Sequence, residues 1–185
     1  MGEPFPNGEP FPNGMISHLL IHTILADYAQ AWDGIHGPAH WARVLENGLR
    51  LAHLTGARVQ VVQLFAVFHD ARRVTESLDH GHGQRGADYA ASLQGVLFDL
   101  PGQDFELLYA ACQHHTDGLM EGDITVQTCW DADRLDLGRA NIAPHPRRLC
   151  TLAARDPDMI RWADQRSRAG FVPPLVRLEW GLEIK

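Results

Sequence analysis

The sequence predicts an all-α, single-domain helical bundle of about six to eight helices. Three observations carry this expectation. The run Val59–Asp70, VQVVQLFAVFHD, is apolar almost all round and long for a strand, which suits a buried central helix. Elsewhere, residues recur at helical spacing, as His40, Val44, Asn47 and Leu51 do at i, i+4, i+7 and i+11. Finally, side chains able to ligate a metal fall in separate segments of this kind, and bundles build sites from facing helices.

Composition narrows the class. A chain of 185 residues, 45% apolar, is long enough for one domain with a sizeable core. Its net charge of −7 argues against a nucleic-acid polymer as partner. A small phosphorylated ligand stays open, because metal and arginine can meet its charge locally. The three cysteines, Cys112, Cys129 and Cys150, have no CxxC spacing, so a reducing cytoplasm is the expected location. No run approaches the ~18 apolar residues that span a bilayer, and no secretory signal pattern is evident, so no membrane partner is expected.

Residues 2–14 are a six-residue repeat, GEPFPN-GEPFPN-G, followed by Met15. Its prolines forbid a helix, and residues 1–14 are expected to be a disordered appended leader or, alternatively, a short docking tail. The helical domain is expected over 15–185, with a core at 16–139 and an extension at 140–185. Ile16–Trp32 reads as a first helix ended by Asp33-Gly34. Its His18 and His22 lie one turn apart with no third ligand nearby, so they read as surface histidines. Pro38 suits the first turn of the next helix, which runs to Leu54 before Gly56. His40 faces inward on it, and Arg43, three residues on, reaches the same side.

The central helix then delivers His69-Asp70. A strand is the competing assignment, since Val59, Val61 and Val62 are β-branched. Polar Ala71–Gly81 reads as a loop at the mouth of a pocket. Its Arg72-Arg73 pair is surface charge or, beside a metal, a binder of phosphate oxygens. His82–Phe98 forms a fourth helix with His82, Gly86, Ala90, Leu93 and Leu97 on one face; its small residues permit a close approach to a neighbour. Gln103–His115 is the fifth. There Phe105, Leu108, Cys112 and His115 share a face, leaving His114 turned by ~100°. Ile124–Leu137, capped by Asp123, is the sixth. Val126, Trp130, Asp133 and Leu137 make its apolar face, so Asp133 points inward; Asp131, ~200° around the axis, cannot easily reach the same ion, and Asp131, Arg134 and Asp136 read as supporting or surface partners. Beyond Gly138 the chain is irregular, with a surface helix at Asp158–Ala169. Trp162, Phe171, Leu175 and Trp180 are expected to fold the C-terminus back for packing or contacts in a homodimer.

An isolated His-Asp pair is ordinarily a capped helix end. Here His40, His69-Asp70 and the segment DADRLD (131–136) together resemble the H…HD…D pattern of the HD-domain metal-dependent phosphohydrolases. HGPAHWARV (36–44), HGQRGA (82–87) and WDADRLDLGR (130–139) extend the resemblance over roughly Ile16–Arg139. It implies a metal held by His40, His69, Asp70 and Asp133, the last being the Asp before Arg-Leu. Asp70 would also orient a water or take its proton. His82 and His115 become candidates for proton transfer or a second metal, and Arg43, Arg72 and Arg73 for phosphate contacts. Some mononuclear members carry an acid shortly after the HD pair; this chain has Ala71-Arg72-Arg73, and its next acid is Glu76.

Two imidazoles and two carboxylates accept Mn, Co, Ni, Fe, Zn or Mg; Mn is the first expectation, with one ion or two. The expected activity is metal-dependent cleavage of a phosphate ester or anhydride of a small nucleotide. One alternative is a dinuclear-iron oxygenase using all six ligands. Another is a non-catalytic nucleotide sensor acting through the Pro- and Arg-rich C-terminal segment.

Overall fold

The computed structural model describes residues 14–184, so the repeat falls outside the described residues except for Gly14. Among them lie eight α-helices: α1 (His18–Ala26), α2 (Pro38–Thr55), α3 (Val59–Phe68), α4 (His82–Leu93), α5 (Gly102–His114), α6 (Ile124–Arg134), α7 (Pro157–Arg168) and α8 (Leu175–Leu178). Two short 3₁₀ turns, Leu137–Ala140 and Pro146–Arg148, follow α6. No named strand occurs among the described residues, and none of their helices is long and apolar enough to cross a membrane.

Helix α3 is the central element, and the strand alternative for this run does not hold. Val61, Leu64, Phe65, Ala66, Val67 and Phe68 are all fully buried on it, and α2, α4, α5 and α6 pack around it. It ends at Phe68, so His69 and Asp70, both buried, stand on its C-terminal end. Helix α4 crosses that end closely: a Cβ at Gly86 would collide with the carbonyl oxygen of Phe68. The close approach expected of this small residue is thus made to the end of α3.

Helices α1 and α4 stop five or six residues earlier than their periodicity predicts, and α6 three. Helix α4 ends at Leu93, because Gln94 turns extended and Gly95 takes a left-handed φ of 74°, a conformation glycine adopts without steric cost. Helix α1 ends at Ala26, capped at its start by Ser17, whose hydroxyl accepts from the Leu20 N–H. The ten residues that follow Asp27 run irregularly toward α2.

A second, smaller core of Leu51, Leu135, Leu149, Ala154, Met159 and Ala163 holds the C-terminal segment against α2 and α6. Asp131 stitches it down, accepting from the backbone N–H groups of Cys150 (2.7 Å) and Thr151 (2.8 Å) and from the Thr151 hydroxyl (2.9 Å). Trp180 and Leu182 return to the main core, and the Trp180 carbonyl accepts from His22 Nε2 at 3.2 Å.

Candidate metal centre

Six buried side chains converge at the end of α3. His40 from α2, His69 from the end of α3 and Asp133 from α6 form one group; Asp70, His82 from α4 and His115 from the end of α5 form another. In the first, His40 Nε2 and His69 Nε2 lie 3.0 Å apart, and Asp133 Oδ1 is 3.5 and 3.9 Å from them. In the second, His82 Nε2 and His115 Nε2 are also 3.0 Å apart, with Asp70 Oδ1 at 3.2 and 3.7 Å. The other carboxylate oxygen of Asp70, Oδ2, faces the first group, 3.5 Å from His40 and 3.6 Å from His69. One carboxylate therefore addresses both groups, one oxygen to each.

The opposite nitrogen of each ring decides what these contacts are. Nδ1 of His69, His82 and His115 donates to the carbonyl oxygens of Phe65 (3.0 Å), Asp79 (2.6 Å) and Cys112 (2.7 Å). Nδ1 of His40 donates to Asp136 Oδ2 at 2.8 Å. Those oxygens can only accept, so each Nδ1 carries a hydrogen, and a ring in its neutral form presents its lone pair at Nε2. Two such lone pairs 3.0 Å apart repel unless a proton or a metal ion lies between them. Imidazoles oriented by Nδ1 bonds to carbonyls or carboxylates are the usual support of metal-ligating histidines. The donor set thus fits divalent metal in both groups.

The electrostatics of Asp70, Asp133 and His69 agree with ligand roles. Burial opposes ionisation of Asp70, but the surrounding His69, His115, His40 and His82 hold its carboxyl well below the usual range. Burial likewise opposes charge on Asp133, and Arg139 first, then His69, His40 and His115, overcome it and hold its carboxyl low. Burial pushes His69 down to about 3, so its ring is neutral at ordinary pH. His115 moves the other way: burial lowers it, but Asp70 and Asp133 outweigh that and raise it.

The three arginines singled out from the sequence have different places. Arg73 is at the centre, with Nη1 3.4 Å from Asp70 Oδ1 and 3.1 Å from His82 Nε2. Arg43 faces away from the ion-binding atoms: its Nε and Nη2 clasp Asp136 at 2.7 and 3.0 Å, and Nη1 donates to the Phe171 carbonyl at 2.9 Å. It thereby fixes the carboxylate that orients His40. Arg72 lies outside, bonding the Asp27 carbonyl at 3.0 Å and stacking over Tyr89 at 4.8 Å. Arg73 thus touches the clustered side chains, whereas Arg43 donates to Asp136 and the Phe171 carbonyl and Arg72 is directed outward.

One arginine had no signal of its own in the sequence. Arg139, brought back by the turn after α6, places Nη2 3.3 Å from Asp133 Oδ1 and donates from Nη1 to the Asp136 carbonyl. Its only hint is its place at the end of WDADRLDLGR. His114 turns outward to Asp117 at 2.7 Å, as the α5 periodicity predicts.

No family model matches the chain, and no curated protein matches it. Among solved structures, it is similar to a predicted HD superfamily hydrolase from an uncultured Thermotogales bacterium. The two share 26% sequence identity and superpose with a TM-score of 0.61, over 83% of this chain and 88% of that one.

Proposed function

The chain is an HD-superfamily domain, and on that premise we propose that it is a metal-dependent phosphohydrolase acting on a small phosphorylated molecule, a nucleotide first among them. The observation that carries this is the pair of facing imidazole couples, four Nε2 lone pairs, joined by one shared carboxylate. His40, His69 and Asp133 would hold one ion, His82 and His115 a second, and Asp70 would reach both. A divalent ion in such a set polarises a phosphoryl oxygen and acidifies a coordinated water.

The protein's own groups supply the rest. Asp70, Asp133 and Asp136 are matched by Arg73, Arg139 and Arg43, which contact them in that order. The charges of the site are therefore balanced before any ion enters, and divalent cations leave a positive excess suited to a phosphate. Arg139, whose Nε is buried without a partner among the described residues, and Arg73, which also bonds the Thr75 and Ser77 carbonyls, would supply N–H groups to phosphoryl oxygens, the charge-assisted bonds at which arginine excels. Asp70, kept ionised, can hold a water or take its proton. Cys112, Cys129 and Cys150 are all free thiols, which suits a reducing cytoplasm.

The test is phosphate release from a panel of nucleotides and simple phosphate esters with Mn, Co or Mg. Hydrolysis should depend on the metal and stop on chelation. Chelation should also lower the unfolding midpoint, because a ligand at 100 times its Kd stabilises the folded state by about 2.7 kcal/mol. A metal-loaded protein that releases phosphate from no substrate would sink the proposal. The carboxylate shared between two groups also favours a second activity, oxidation at two irons. Oxygen consumption by anaerobically purified, iron-loaded protein, without hydrolysis, would select it.

A further inference from the structure

Tyr28 lies in the irregular segment between α1 and α2, and its hydroxyl is buried without a hydrogen-bond partner among the described residues. The residue is 8% exposed. A buried polar group without a partner is costly, and each such group calls for an explanation. Phenylalanine would fill the same space without that cost, since the ring packs edge-on against Trp41 with centroids 5.1 Å apart.

Two hydrogen bonds join the Tyr28 segment to the loop beside the metal centre. Trp41 follows His40 in the chain. On its other side, the carbonyl of Asp27, the residue before Tyr28, accepts from Arg72 at 3.0 Å, and Arg72 lies between Asp70 and Arg73. A further bond joins the same two segments: His36 Nδ1 donates to Glu76 Oε2 at 2.6 Å. The Glu76 carboxylate rests against Gly34, where a Cβ would collide with Oε1. The segment that carries Tyr28 is thus tied to the loop that follows Asp70 and carries Arg73, while the Tyr28 ring packs on Trp41, the residue after His40. Its hydroxyl feels the charges of Asp70, Glu76 and Arg73, and burial first, then the two carboxylates, push it up, so it keeps its proton. It is a fixed donor without an acceptor.

We infer that Tyr28 is a substrate-binding residue, its phenol donating to an oxygen of a phosphoryl group that Arg73 also contacts. The inference rests on the phosphohydrolase proposal and assigns a subsite to it. His36 and Glu76 are positioning residues, stapling the Tyr28 segment to the Arg73 loop. Arg72 has the same role from the outside.

The experiment is calorimetric titration of the Mn-saturated protein with inorganic phosphate, comparing the parent with Tyr28→Phe. The variant should keep its manganese and its unfolding midpoint while binding phosphate about tenfold more weakly or worse, the usual scale for a hydrogen bond to a charged acceptor. With a hydrolysable ester, KM should rise in step. Equal phosphate affinity in parent and variant overturns the inference. So does a parent that binds no phosphate, or a variant that loses manganese or melts early, which would make Tyr28 a structural residue. The two proposals fail separately. Ester hydrolysis with KM unchanged in Tyr28→Phe removes the subsite and leaves the hydrolase. Tyr28-dependent phosphate binding without hydrolysis of any ester does the reverse.

Discussion

Asp70→Ala should empty both halves of the metal centre at once. Asp70 Oδ1 faces His82 and His115, and Oδ2 faces His40 and His69, so alanine takes a ligand from each ion. It also leaves Arg73, itself buried, without its carboxylate partner. Removing one partner of a buried pair costs about 3–5 kcal/mol, so the variant should melt earlier as well. Metal content should fall below one ion per chain. Hydrolysis should drop by more than the roughly 10–100-fold typical of residues that only support ligands. Asp70→Asn keeps the shape and removes the charge. It should show the same metal loss with a smaller change in stability. Metal analysis and thermal unfolding of the two variants check this, and Asp70→Asn with a full complement of metal would refute it.

Asp133 and Asp131, two residues apart on α6, should separate cleanly. Asp133→Ala removes the carboxylate beside His40 and His69 and is expected to lose metal and hydrolysis. Asp131→Ala should keep the metal and lose stability instead. It leaves the N–H groups of Cys150 and Thr151 and the Thr151 hydroxyl without their acceptor. At about 1–3 kcal/mol for each unsatisfied buried group, the cost is about 2–5 kcal/mol after partial relaxation. For a chain of this size that lowers the unfolding midpoint by about 4–20 °C. Metal content and melting curves, measured side by side, test both. An Asp131→Ala protein without metal, beside an Asp133→Ala protein that retains it, would reverse the assignment of the two faces.

The contrast between these two aspartates shows which features a sequence can express. Periodicity separates the faces of α6 because 3.6 residues per turn is a local rule, and the same rule separates His115 from His114. It also orients His40 and places His69-Asp70 at the end of α3. Arg43 marks where such reasoning stops. It does share the inward side of α2 with His40, but its partners, Asp136 and the Phe171 carbonyl, lie 93 and 128 residues away, and no local pattern reveals them. Tyr28 and Arg139 come from an irregular segment and a 3₁₀ turn, where no period exists to assign a face. The early ends of α1 and α4 have a related cause: apolar spacing continues past each end, while the backbone turns at Asp27 and at Gly95.

Four imidazole lone pairs and one shared carboxylate are expected to form a site for two divalent ions. Counting the ions tests it most directly: elemental analysis of the protein after saturation with Mn and removal of free metal. Two manganese ions per chain are expected, falling below one in Asp70→Ala. A parent protein that retains none, with its fold intact, would contradict it.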